Sequence, residues 1–147
     1  MAINLSQLLN KPGNVIQVVG STYSTNGSTT STAFVASGIT ATITPTYTNS
    51  KILVLSSGSN QASANENCFI TLYRNSTNLG PANGMNITAP ASVTYPANNP
   101  YSITYLDSPS TTSSTTYTLY YRCTNGVGVN LPTSNTLATI TLLEIAQ

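Results

Sequence analysis

Side chains able to do acid–base, nucleophilic or metal chemistry are scarce in this sequence. It has no histidine, and its side-chain carboxylates are Glu66, Asp107 and Glu144. Without histidine, the commonest general base is missing, and so are the Ser-His-Asp and Cys-His arrangements built around it. Glycoside hydrolysis needs two carboxyl groups flanking one bond. Glu144 falls in a strand-like final segment, while Glu66 and Asp107 sit at loop edges, so their spacing suggests no such pair. We therefore expect no catalytic residue and no enzyme.

Metal and cofactor chemistry fare the same way. Cys68 and Cys123 are far apart and have no histidine to complete a zinc site. Calcium favours several carboxylates, and no Gly-rich phosphate loop is present. No metal and no cofactor is expected. The two cysteines read as buried free thiols acting as small hydrophobes, with a cross-strand disulfide as the alternative. The basic residues Lys11, Lys51, Arg74 and Arg122 are scattered, whereas phosphate binding needs a basic patch, so nucleic acid is not an expected partner. Arg74 and Arg122 read as solvated or ion-paired rim positions.

A contact surface is the chemistry that remains. Tyr95 and Tyr101 enclose Asn98, Asn99 and Pro100, and aromatic rings beside amides can stack on and hydrogen-bond a sugar or a protein edge. Tyr95, Asn98, Asn99 and Tyr101 are thus the candidate loop contact surface. The plainer reading of the tyrosines is that they close one end of the fold.

The elements that must position these groups are strands. The chain has 147 residues, one domain's worth. Its charged fraction is 5% and its net charge +1, against about 25% charged residues in an ordinary soluble domain. Roughly four residues in ten are Ser, Thr or Asn. Polar tracts of this kind often stay disordered. Nine tyrosines and many Thr, Val and Ile argue instead for pleated, half-buried surfaces. A nearly ion-free exterior has little electrostatic solubility and poorly guarded sheet edges, which favours a copy docked among neighbours. No apolar run approaches the roughly 18 residues of a membrane span. The opening lacks the basic and apolar regions of a signal peptide, so no membrane partner is expected.

Residues 1–13 read as an N-terminal arm. Ile3, Leu5, Leu8 and Leu9 have helix-like spacing in a piece too short to be stable alone, and Lys11-Pro12-Gly13 then turns the chain. A frayed terminus is the plainer reading, and an arm whose four apolar side chains order against a neighbouring subunit is the one we favour. Residues 14–147 read as one domain of eight or nine strands. Asn14–Val19 is the first, with Val15, Gln17 and Val19 on one side and Ile16 and Val18 on the other. Thr32–Ala36 follows, turned by Ser37-Gly38 into Ile39–Thr44. Lys51–Ser57 holds the continuous apolar run Ile52–Leu55 of a central strand, ended by Gly58. Asn67–Arg74 alternates, with Cys68, Ile70 and Leu72 on one face. Four prolines interrupt residues 81–100, leaving room for one edge strand near Asn86–Tyr95. Tyr101–Leu106, Thr116–Thr124 and Thr136–Ala146 complete the set, with Tyr117, Leu119, Tyr121 and Cys123 turned inward along the second of these. Short alternating segments with frequent turns predict an all-β fold, an antiparallel two-sheet β-sandwich of jelly-roll type.

Three stretches resemble small virion proteins of tailed bacteriophages. They are Gly13-Asn-Val-Ile-Gln-Val-Val19, Ser102-Ile-Thr-Tyr-Leu-Asp-Ser-Pro109 with Thr116-Tyr-Thr-Leu-Tyr-Tyr121, and Ala138-Thr-Ile-Thr-Leu-Leu-Glu-Ile145. The resemblance implies one of two roles. One is capsid decoration by a cement protein, as a homotrimer held to the major capsid protein of the virion. The other is a tail-fibre head domain recognising a host surface receptor, a glycan or a protein. The decoration role is favoured, because the chain lacks a long repetitive shaft and a virion-attachment domain. The resemblance transfers no individual binding residue.

Overall fold

A computed structural model describes residues 11–89 and 96–147 of the chain. The arm residues Ile3, Leu5, Leu8 and Leu9, and Tyr95 of the loop surface, lie outside the described residues. The elements are β1 (Val15–Tyr23), β2 (Ser28–Thr29), β3 (Val35–Ile43), β4 (Lys51–Ala62), β5 (Cys68–Arg74), β6 (Thr77–Asn78), β7 (Asn86–Thr88), β8 (Ala97–Asp107), β9 (Thr115–Cys123), β10 (Val129–Asn130) and β11 (Ala138–Ile145). Among the described residues none is helical.

Every strand pair is antiparallel, and the pairs are nested. β1 pairs β11, β3 pairs β9, β4 pairs β8, and β5 pairs β7. The chain is thus one long hairpin, rolled so that β11 also meets β4 and β9 also meets β5. Two sheets result, β1-β11-β4-β8 and β3-β9-β5-β7, with β10 and β2 extending the far end of β4 and β6 the end of β5. This winding is the jelly roll, two Greek keys closed face to face. The expected fold class is the observed one.

Period-2 alternation builds the core. On β9, Thr115, Tyr117, Leu119, Tyr121 and Cys123 all point inward and are buried, and the residues between them are half-buried. They meet Cys68, Ile70 and Leu72 of β5 on the same sheet, and Ile52, Val54, Ile140 and Leu142 from the opposite one. Burying such a side chain stabilises by roughly 1.5–3 kcal/mol.

The structure revises several boundaries. A bulge between Val15 and Gln17 puts Val15 opposite Ile145 and Val18 opposite Leu143, so these two valines share the outer face that alternation alone would have divided. Thr32–Ala36 and Ile39–Thr44 are not separate strands. β3 runs through Ser37 and Gly38 with an irregular register between Ala36 and Thr40. There the Ser37 hydroxyl donates to the Leu119 carbonyl and accepts from the Ile39 N–H, replacing lost ladder bonds with side-chain ones. β8 begins at Ala97 and includes Pro100. Proline fits because β8 is an edge strand, paired to β4 on one side.

Gly58 does not end β4, which continues to Ala62. A Cβ at Gly58 would lie 2.9 Å from both Ala138 Cβ and Tyr101 Cε1. The glycine lets β4 pass beneath the Tyr101 ring. Gly58→Ala should therefore destabilise the fold by about 1–3 kcal/mol through overpacking, although alanine is ordinarily no worse than glycine in a strand. A lowered urea midpoint with an unchanged slope is the expected result.

Candidate assembly surface

The three side-chain carboxylates are all buried and all engaged in holding the fold. Glu66, in the turn between β4 and β5, accepts backbone N–H bonds from Asn67, Thr124, Asn125 and Val127. It thereby ties that turn to the β9–β10 loop. Burial by itself would raise its pKa, but the four N–H donors outweigh it and hold the carboxyl below its ordinary value. Glu144 points inward from β11 and accepts the Thr46 and Tyr47 N–H groups, the Thr46 hydroxyl and Gln17 Nε2. Burial again opposes ionisation, and the Gln17 and Thr46 bonds again prevail, so this pKa is also lowered. Asp107 receives Arg74 Nη1 at 2.9 and 3.0 Å and the Tyr117 hydroxyl at 2.7 Å. Burial, then the bond to Asp107, pushes the Tyr117 hydroxyl well above its ordinary range.

Arg74 is thus the ion-paired residue its rim position suggested. Arg122 does something the sequence did not signal: its guanidinium lies 4.1 Å from the Phe69 ring centre and 5.2 Å from that of Phe34, a cation–π arrangement. Cys68 and Cys123 are register partners on β5 and β9, both buried and both free. Burial pushes the Cys68 thiol up to about 12, helped by the neighbouring Cys123 and Glu66. Among the described residues no group of three or more His, Cys, Asp or Glu could hold a metal ion.

The described part of the candidate loop surface divides across the pleat. Asn98 is exposed and accepts a bond from Gln61 Nε2 at 2.9 Å. Asn99 and Tyr101 alternate to the other side. Tyr101 is 3% exposed and belongs to the core, so the side chains do not form one surface. Because β8 starts four residues earlier than expected, these residues are strand and not loop. Asn99 Nδ2 lies inside with both amide atoms of the opposing Asn60, none of them with a partner among the described residues.

The two outer faces differ in kind. On the second sheet, Thr40 and Thr42 bond the hydroxyls of Thr118 and Thr116 across the β3–β9 ladder. Tyr73 stacks on Tyr120 with ring centres 3.8 Å apart. These groups pair with one another, while Ile87 at the β7 edge of that face is 54% exposed. On the first sheet, register aligns Val18, Leu143, Leu53 and Leu106 in one row across β1, β11, β4 and β8. Val18 is 59% exposed, Leu106 52% and Leu55, one row along, 38%. Val15 and Ile145 extend the patch toward the start of β1. The rest of the face is Thr139, Thr141, Thr104, Ser57 and Ser102, with Lys51 at its border.

The sequence carried a signal for this row in its failures of alternation. Val18-Val19, Leu142-Leu143, Leu53-Val54 and Tyr105-Leu106 are each an adjacent apolar pair, one member inside and one outside. Only the register puts the four pairs at one level. A jelly-roll sandwich with one face of largely self-paired side chains and one hydroxyl-rich face crossed by an apolar row is the class of molecule that this geometry defines. A scan against protein-family models and a search of the curated proteins return no match.

Glu66 and Glu144 both titrate lower folded than unfolded. Their contribution to stability is therefore complete above the unfolded pKa, near 4.5, and fades as the pH falls through the folded values. Urea midpoints measured from about pH 7 to about pH 2 should fall steeply on the acid side. Glu66→Gln should cost roughly 2–3 kcal/mol at neutral pH and flatten that acid limb; an unchanged limb would count against the Glu66 carboxylate as its source.

Proposed function

We propose that this chain is a virion structural protein, a capsid decoration or cement protein that stabilises a phage head through subunit–subunit contacts. The observation that carries this reading is the apolar row crossing the outer face of the first sheet. An exposed stripe of Val and Leu on a chain with so few charges is suited to being covered by a partner. The engagement of every side-chain carboxylate in bonds that tie turns or strands together supports a structural role over a catalytic one. The jelly roll is a frequent architecture of capsid-associated domains, which adds weight without deciding function.

In this reading the protein is a homotrimer docked on the major capsid protein, and residues 1–13 form its assembly arm. Each copy adds modest buried area across capsomer joints, and multivalent placement multiplies the effect. Contacts of this kind are hydrophobic and hydroxyl-based. Their strength should hold or rise with salt, whereas ion-pair contacts weaken as the Debye length shrinks.

A second reading, a receptor-binding head domain for a host glycan or protein, has one observation in its favour. A cleft of about 450 Å³ opens between Leu79, Pro81, Gly84 and Met85 on one side and Ser102–Tyr105 of β8 on the other, within the size range of small-ligand sites.

One localisation experiment separates the two. Gold-conjugated antibody against the chain should label the heads of particles from native lysates, and labelling should survive a wash in about 1 M salt. Labelling confined to tail tips would replace the first reading by the second, and particles bearing none of the protein would defeat both.

A further inference from the structure

We propose that the apolar row on the outer face of β1, β11, β4 and β8 is the docking site for residues 1–10 of a second copy of this chain. The inference rests on the assembly reading above and adds to it the surface that receives the arm.

Chemistry matches first. The segment Met1–Asn10 holds Ile3, Leu5, Leu8 and Leu9 and no charged side chain. The receiving row, Val18, Leu143, Leu53 and Leu106, is itself free of charge, and its flanks are hydroxyls apart from Lys51 opposite Ile145. Neither surface pays an ion-desolvation cost on contact.

Length matches next. Ten residues wound as a helix span about 15 Å. The row crosses three interstrand spacings, about 14 Å in all. Helix-like spacing would place Leu5, Leu8 and Leu9 on one stripe, and a helix this short forms only against a surface that buries it.

The point of departure also fits. Lys11-Pro12-Gly13-Asn14 makes a tight turn in which the Asn14 N–H bonds the Lys11 carbonyl at 3.0 Å, with Gly13 at a φ of 91°. The Gly13 N–H bonds the Ala146 carbonyl at 2.9 Å, so the turn is fixed to the corner where β1 meets β11. Lys11, Pro12 and Gly13 are exposed there. That corner adjoins Val15 and Ile145, the end of the apolar patch. The arm therefore departs beside the patch, and in the proposed assembly it crosses onto the patch of a neighbour. Exchange of identical arms in one direction around a ring closes the assembly.

The test uses full-length chains. Leu5→Cys and Leu143→Cys chains are prepared separately, mixed, and treated with a short bismaleimide. The native thiols are buried, and the parental chain serves as the control for them. A link between two chains should form in the mixture and not in the parental control. In parallel, the double variant Leu53→Asp/Leu106→Asp should reduce the solution mass measured by light scattering to that of one chain, with its β-sheet circular dichroism retained. Ile87→Asp, an exposed substitution on β7 of the other sheet, should leave the oligomer whole. No link in the mixture, together with a link formed inside single chains of a Leu5→Cys/Leu143→Cys double variant, would make the arm its own copy's cover and overturn the proposal. A full oligomer in the Leu53/Leu106 variant would overturn it too, while head labelling in the localisation experiment would leave the decoration reading standing.

Discussion

The sandwich is organised by β4, which is hydrogen-bonded along both edges and therefore dictates the level at which its neighbours sit. β8 pairs with it from Ile52 to Ala62, while β11 occupies the other edge as far as Ser57 and β10 takes over at Gln61. Any slip of one residue in these ladders would exchange Ile52 and Val54 for Leu53 and Leu55 inside the core. The close pass at Gly58 resists such a slip, because only a residue without a side chain fits between Ala138 and Tyr101. Register, and with it the shape of both faces of the first sheet, follows from this strand.

The second constraint is electrostatic. A chain with three acidic side chains has little freedom to place them, and each sits where it closes a connection between strands. Glu66 gathers four N–H groups of two loops, Glu144 holds the turn after β3 against β11, and Asp107 joins β8 to β5 through Arg74. The bulge at the start of β1 belongs to the same design, since it aligns Gln17 with Glu144. Buried carboxylates of this kind persist because donors are supplied for them. The consequence for function is a surface made almost wholly of hydroxyls, amides and a few exposed aliphatic side chains.

These two constraints meet on the outer face of the first sheet. Satisfying the carboxylates inside leaves that face without acidic side chains, and the register of β4 lines up its aliphatic residues. The second sheet takes the opposite course, pairing threonine with threonine and tyrosine with tyrosine across its ladder. The second face largely pairs with itself and the first carries the aligned apolar row, which is why assembly is the reading we propose.

Much of this was legible residue by residue. Alternation along β9 named Tyr117, Leu119, Tyr121 and Cys123 as core, and the scarcity of charge pointed to a docked module, because both properties are local or compositional. The tertiary structure alone decided that Val15 joins Val18, that Asn98 and Asn99 part company, that Tyr101 is interior, and that four separated apolar pairs form one row. Each of these depends on a bulge, a strand start or a pairing partner far along the chain. Side-chain direction flips with a single residue of register, and register is set by hydrogen bonds between strands that the linear sequence does not record.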